Sequence, residues 1–131
     1  MLLRLSFYSA VISTLILTLG MPIIAQAKAC VIELNIPQLK VYDKSCFESV
    51  GKSLKYFTPL CNAQRKQPNV TVTDMQKCPK GAFAFCYTKY TIVAGGFRTY
   101  TYSRASIKSL KISCNSKNPG LPAGQWTQLK K

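Results

Sequence analysis

A chain of 131 residues without a single histidine has little acid–base chemistry open to it. The commonest general base is missing, and with it every Ser-His or Cys-His nucleophile arrangement. Four carboxylates remain, Glu33, Asp43, Glu48 and Asp74. Asp43 and Glu48 are close enough in sequence to share a site, and a paired-carboxylate hydrolase needs no more than that. A Ser-Lys pair is the other catalytic option. No activated nucleophile can be pointed to, so a hydrolase is the least favoured reading and a non-enzymatic role the expected one. Structural duties account better for both acids. Ser45-Cys46-Phe47-Glu48 matches the capping box, in which the Ser hydroxyl and Glu carboxylate satisfy the first free amides of a helix. Asp43, beside Lys44, reads as a turn residue.

Cysteine is the second chemically capable type. Cys30, Cys46, Cys61, Cys78, Cys86 and Cys114 contain no C-x-x-C pair and have no histidine to complete a zinc set, so no metal or cofactor is expected. An even number in a short exported chain points to three disulfides, which could pair in 15 ways. Each bridge contributes about 2 to 4 kcal/mol, which compensates for a thin apolar core.

Binding chemistry is concentrated in the aromatic and β-branched run 82–93 and in 97–102, separated by Ala94-Gly95-Gly96, a hairpin signal. With Gly95-Gly96 as a two-residue turn, Val93 lies opposite Arg98, Thr91 opposite Tyr100 and Lys89 opposite Tyr102. One face then carries Phe83, Phe85, Tyr87, Lys89, Thr91, Val93, Arg98, Tyr100, Tyr102 and Arg104. The other carries Cys86 and is the expected core side. Tyr87, Lys89, Arg98, Tyr100, Tyr102 and Arg104 form the candidate binding face, where cations meet charge and tyrosines stack and donate hydrogen bonds. Tyrosines covering apolar surface, with lysines guarding a sheet edge, are the plainer explanation of the same pattern.

The elements that must position these residues follow from periodicity. Residues 30–36 alternate as a half-buried strand, Pro37 ends it, and 38–42 resume extended structure. Cys46, Val50, Leu54 and Phe57 recur at helical spacing, which predicts a helix over 46–57 closed by Pro59. Residues 61–69 read as a loop, 70–72 as a short strand and 74–81 as turns. For 103–112 a short helix capped near Ser103 is favoured over a strand. Residues 115–125 form a loop, and 125–129 return as an edge strand with Trp126. The whole predicts an α+β domain, small and disulfide-rich, with an antiparallel hairpin or sheet and one or two short helices.

Compartment follows from the start of the chain. Arg4, the apolar stretch 11–19 and Ala25-Gln26-Ala27 make a secretory leader over 1–27, with a single mature domain over 28–131. An uncleaved anchor over 5–24 is the competitor, weakened by Gly20 and Pro22 near the end of the apolar stretch. Acylation of Cys30 would need a small neutral residue where Lys28 stands. The expected location is secreted or periplasmic, and Asn69-Val70-Thr71 is a glycosylation acceptor only in a eukaryotic host.

The full chain has 18 basic and four acidic residues, a formal +14, and loss of Arg4 with the leader leaves +13. Such a charge implies acidic partners: anionic lipid head groups, envelope polysaccharide or extracellular nucleic acid. Most of the cations are lysine and lie in no dense block, which suits diffuse attraction more than base-specific reading. The leading expectation is an exported protein that binds an anionic envelope or extracellular component. The alternative is a protein–protein module, an inhibitor or toxin-like effector presenting the loops at 61–69 and 115–125.

Overall fold

The computed structural model describes residues 26–117 and 122–129. Nearly all of the expected leader therefore lies outside the described residues, as do 118–121 of the late loop. The architecture is α+β, as the sequence predicts: six antiparallel strands, two short helices and three disulfides. The strands are β1 (Ala29–Ile36), β2 (Val41–Gly51), β3 (Val70–Met75), β4 (Ala84–Lys89), β5 (Gly95–Thr101) and β6 (Gln125–Gln128), in the spatial order β3-β1-β2-β5-β4-β6. The helices are α1 (Leu54–Arg65) and α2 (Ile107–Asn115).

Side chains alternate across this sheet and define two faces. The helix face carries Cys30, Ile32, Phe47, Thr99 and Cys86, and α1 and α2 lie against it. The opposite face carries Val31, Cys46, Glu48, Arg98, Tyr100 and Phe85, and is crossed by the loop of residues 76–83. Each cover is fastened by one disulfide: Cys30–Cys61 ties α1 to β1, Cys86–Cys114 ties α2 to β4, and Cys46–Cys78 ties the loop to β2. Residues 29–32 are consequently buried on both faces, although their alternation predicts only one buried side.

Residues 46–51, expected as the first half of a helix, are instead the end of the eleven-residue strand β2. Their apolar spacing fits either period. Hydrogen-bonded partners on both sides, β1 at Ala29 to Ile36 and β5 at Gly95 to Thr101, outweigh a single helical stripe. The helix starts at Leu54 and runs through Pro59, which removes only the bond to the Lys55 carbonyl, so residues 61–65 are helix and not loop. Ser53 stands at its N-cap but makes no side-chain cap bond. Its fully buried hydroxyl lies 2.8 Å from the Val50 carbonyl and 2.7 Å from that of Gly96, pinning the strand-to-helix corner to β5. Asp43 is likewise a strand residue of β2 and not a turn residue.

The hairpin also differs from expectation. β4 ends at Lys89, residues 90–94 make the connection, and the register pairs Tyr87 with Arg98 and Lys89 with Gly96. Gly95 and Gly96 lie inside the sheet, where a Cβ on Gly96 would run into the Thr88 carbonyl and one on Gly95 into the Val50 carbonyl. They are needed for close strand approach, not for a turn. The expected pairing of Lys89 with Tyr102 is therefore displaced by six residues. An even displacement leaves the side chains that stay within β4 and β5 on their expected faces, whereas Ile92, expected on the core side, lies exposed in the connection.

Candidate anion-binding face

On the loop face, β4 and β5 place Phe85 beside Tyr100 and Tyr87 beside Arg98. The Phe85 and Tyr100 rings stand 5.2 Å apart, and the Arg98 guanidinium lies over Phe85 at 5.7 Å. Two more cations sit on rings nearby: Arg104 over Phe83 at 5.1 Å and Lys44 over Tyr102 at 5.5 Å. Such contacts contribute about 0.5 to 1 kcal/mol each at exposed sites and hold the cation heads in place.

Glu48 is the acid embedded in this face. It is 7% exposed, pairs with Arg98 at 3.2 Å and accepts the Cys78 backbone N–H at 2.9 Å. It is therefore not the capping-box partner its spacing predicts. The mispredicted helix explains the error, because a strand directs Glu48 across to Arg98, its register partner on β5. Asp43 and Glu48 lie at odd and even positions of one strand, so they face opposite sides of the sheet and cannot form the shared carboxylate site their proximity in sequence suggests.

Beside Tyr100 and Glu48 is a hollow of about 320 Å³, with Lys77 and Lys80 on its rim and Leu129 on its wall. The loop that brings these lysines is held there by Cys46–Cys78, by the Cys78 N–H on Glu48 and by the Tyr102 hydroxyl, which donates to the Pro79 carbonyl. Burial raises the Tyr100 phenol above its ordinary pKa, with the Glu48 charge adding to the effect. Burial pushes Tyr102 up to about 12, with Tyr100 and Glu48 adding to it. Both phenols therefore keep their protons near neutral pH.

Of the six candidate residues, Tyr87, Arg98 and Tyr100 are adjacent in the register, and Lys89 shares their face at the end of β4. Tyr102 is half-buried and its hydroxyl is occupied; Arg104 stands in the 3-10 turn after β5 and is exposed. Sequence reasoning missed Lys77 and Lys80. They flank Cys78, so the partner of that cysteine decides where they go, and the pairing is one of the 15 open to six cysteines. Arg98 is neutralised by Glu48, whereas Lys77, Lys80, Lys89 and Arg104 have no acidic partner among the described residues.

No family model matches the chain, and neither does any curated protein or solved structure.

Proposed function

We propose that this small disulfide-stabilised protein works in an oxidising, extracytoplasmic compartment and binds anionic groups of an envelope or extracellular component on the loop face. The observation that carries the reading is the lysine-rimmed hollow beside Tyr100. Lys77 and Lys80 supply charge there, Tyr100 supplies a neutral ring and hydroxyl, and the one acid present, Glu48, is already matched by Arg98. Three of the four carboxylates are paired internally, to Lys44, Arg65 and Arg98, so most of the +14 charge is left for an outside partner. The protein–protein alternative receives less support, because part of one proposed display loop, residues 61–65, is helix.

Binding of the oxidised protein to phosphatidylglycerol vesicles and to an anionic polysaccharide tests the reading. Affinity falls steeply with salt as counterion release loses its advantage. General attraction does the same, so two charge-matched variants are compared. Lys77→Ala with Lys80→Ala weakens binding by about tenfold, whereas Lys108→Ala with Lys111→Ala on the exposed side of α2 costs about twofold. Equal losses from the two pairs would leave only a basic surface and remove the site.

A further inference from the structure

On the opposite side of the sheet lies a second and chemically different cavity. It has a volume of about 340 Å³ and is formed between α2 and strands β2 and β5. Ser45 and Thr99 contribute from the sheet, and Ser106, Ser109 and Ser113 line its other side. The serines recur at i, i+3 and i+7, which puts them along one side of the helix, next to Leu110. A smaller hollow of about 140 Å³ shares Thr99, Leu110 and Ser113 and continues the cleft toward Cys86–Cys114.

Two features separate this cleft from ordinary surface roughness. Asp43 is the one carboxylate with no cation partner among the described residues; it is held instead by the Ser106 hydroxyl, which donates to it at 2.8 Å. Ser45, Thr99, Ser109 and Ser113 also make no side-chain hydrogen bond to other described residues, whereas Thr58 and Ser116 each donate to the carbonyl four residues back. The cleft thus presents hydroxyls that the fold does not use, around a carboxylate that the fold does not neutralise.

Its lining selects among ligand classes. An anion would meet Asp43, the only charged side chain in the lining, without compensation. An apolar ligand would strip water from that carboxylate and the hydroxyls and return nothing. A cation would satisfy Asp43 but must approach a chain of net +14. A neutral polyhydroxylated ligand meets every demand: each sugar hydroxyl both donates and accepts, as each serine and threonine does, and the carboxylate accepts charge-assisted bonds. The size is at the small end of ligand pockets. We propose that the cleft between α2 and the β2–β5 strands binds a neutral saccharide unit, through Asp43 and the hydroxyls of Ser45, Thr99, Ser109 and Ser113. This site is independent of the loop face, and its ligand carries no charge.

Amide chemical-shift titration of the oxidised protein tests it, with maltose, trehalose and diacetylchitobiose at millimolar concentration as probes, and spermidine and inorganic phosphate as controls. At least one saccharide gives saturable shifts at Ser45, Thr99, Ser109 and Ser113 that do not change with salt, in contrast to the salt-sensitive binding on the other face. Ser109→Leu with Ser113→Leu fills the cleft and weakens saccharide binding by about tenfold while leaving vesicle binding intact. Asp43→Asn keeps a hydrogen-bonding group and weakens binding by about threefold. Saccharides that leave these amides unmoved, shifts that fall on Lys77, Lys80 and Tyr87 instead, or cleft shifts with spermidine alone would each overturn the assignment.

Discussion

Beneath α1 the sheet presents Cys30 and Ile32 to Phe57 and Cys61, and Phe47, Val70 and Val72 close the space around them. Beneath α2 it presents Ser45 and Thr99 to Ser109 and Ser113, and about 340 Å³ stays open. Both helices lie on one face of one sheet, and each is fastened by one disulfide of similar span, 31 residues for Cys30–Cys61 and 28 for Cys86–Cys114. The difference is therefore in side chains and not in architecture. Phe57 is 1% exposed, whereas Ile112 of α2 is 61% exposed. The β3-β1-β2 side of the sheet carries the buried apolar clusters, and accessible chemistry on both faces gathers from β2 across to β5 and β4. Hydroxylated walls bury little apolar area, so α2 depends on its cross-link in a way that α1 does not.

The sharpest way to break that comparison is to truncate an apolar contact under each helix. Phe57→Ala removes a fully buried ring from the main cluster and lowers the unfolding free energy by about 3 to 5 kcal/mol. Leu110→Ala removes a half-buried side chain beside an open cleft and costs about 1 kcal/mol. Denaturant unfolding of the oxidised variants measures both. Equal losses would mean that α2 belongs to the same core as α1.

The same asymmetry explains what was legible in the sequence. β1, the aromatic strand pair and the edge strand β6 are visible as local periodicity, whereas the spacing of Ile107, Leu110, Ile112 and Cys114 fits helix and strand alike and only favours the helix that α2 forms. β2 is not, since Cys46, Val50, Leu54 and Phe57 satisfy a helical period while also crossing the boundary between a strand and a helix. Only its neighbours β1 and β5 decide the matter. The candidate face survives a wrong register because taking Gly95-Gly96 as the turn shifts the pairing by six residues, an even number. Lys77 and Lys80 reach that face only through the Cys46–Cys78 pairing, and the cleft brings Asp43 and Ser45 to serines more than sixty residues away. Neither juxtaposition has a local signal.

A smaller effect comes from the cross-links themselves. By chain entropy alone, removing either bridge to a helix costs about 3.5 kcal/mol, because the closed loops are nearly equal in length. Their local consequences differ. In Cys30→Ala with Cys61→Ala, α1 keeps its contacts through Phe57 and its amides exchange only by global unfolding. In Cys86→Ala with Cys114→Ala, α2 detaches first, and amides of residues 107–115 exchange at lower free energy than the rest of the chain. Hydrogen exchange read residue by residue distinguishes the two. Uniform protection in the second variant would show that the polar interface holds α2 without its bridge.

The smallest effect lies on the loop face, where Tyr102 donates to the Pro79 carbonyl and fastens the lysine-bearing loop to the end of β5. Its phenol is pushed up to about 12, first by burial and then by Tyr100 and Glu48, whereas an unfolded tyrosine titrates near about 10. Below about pH 10 both states hold the proton and the stabilisation is fully present. Between about 10 and 12 the unfolded chain releases its proton while the native chain keeps it, so the unfolding free energy falls as pH rises. Lysines lose charge in the same window, but they do so equally in a variant that lacks only this phenol. Tyr102→Phe therefore costs about 1 kcal/mol at neutral pH, through the lost hydrogen bond, and shows a shallower alkaline decline than the parent. Unfolding curves for the two proteins across that range should converge as pH rises. Parallel curves would mean that Tyr102 is not the group being titrated, and that the loop is held to the sheet by Cys46–Cys78 and Glu48 alone.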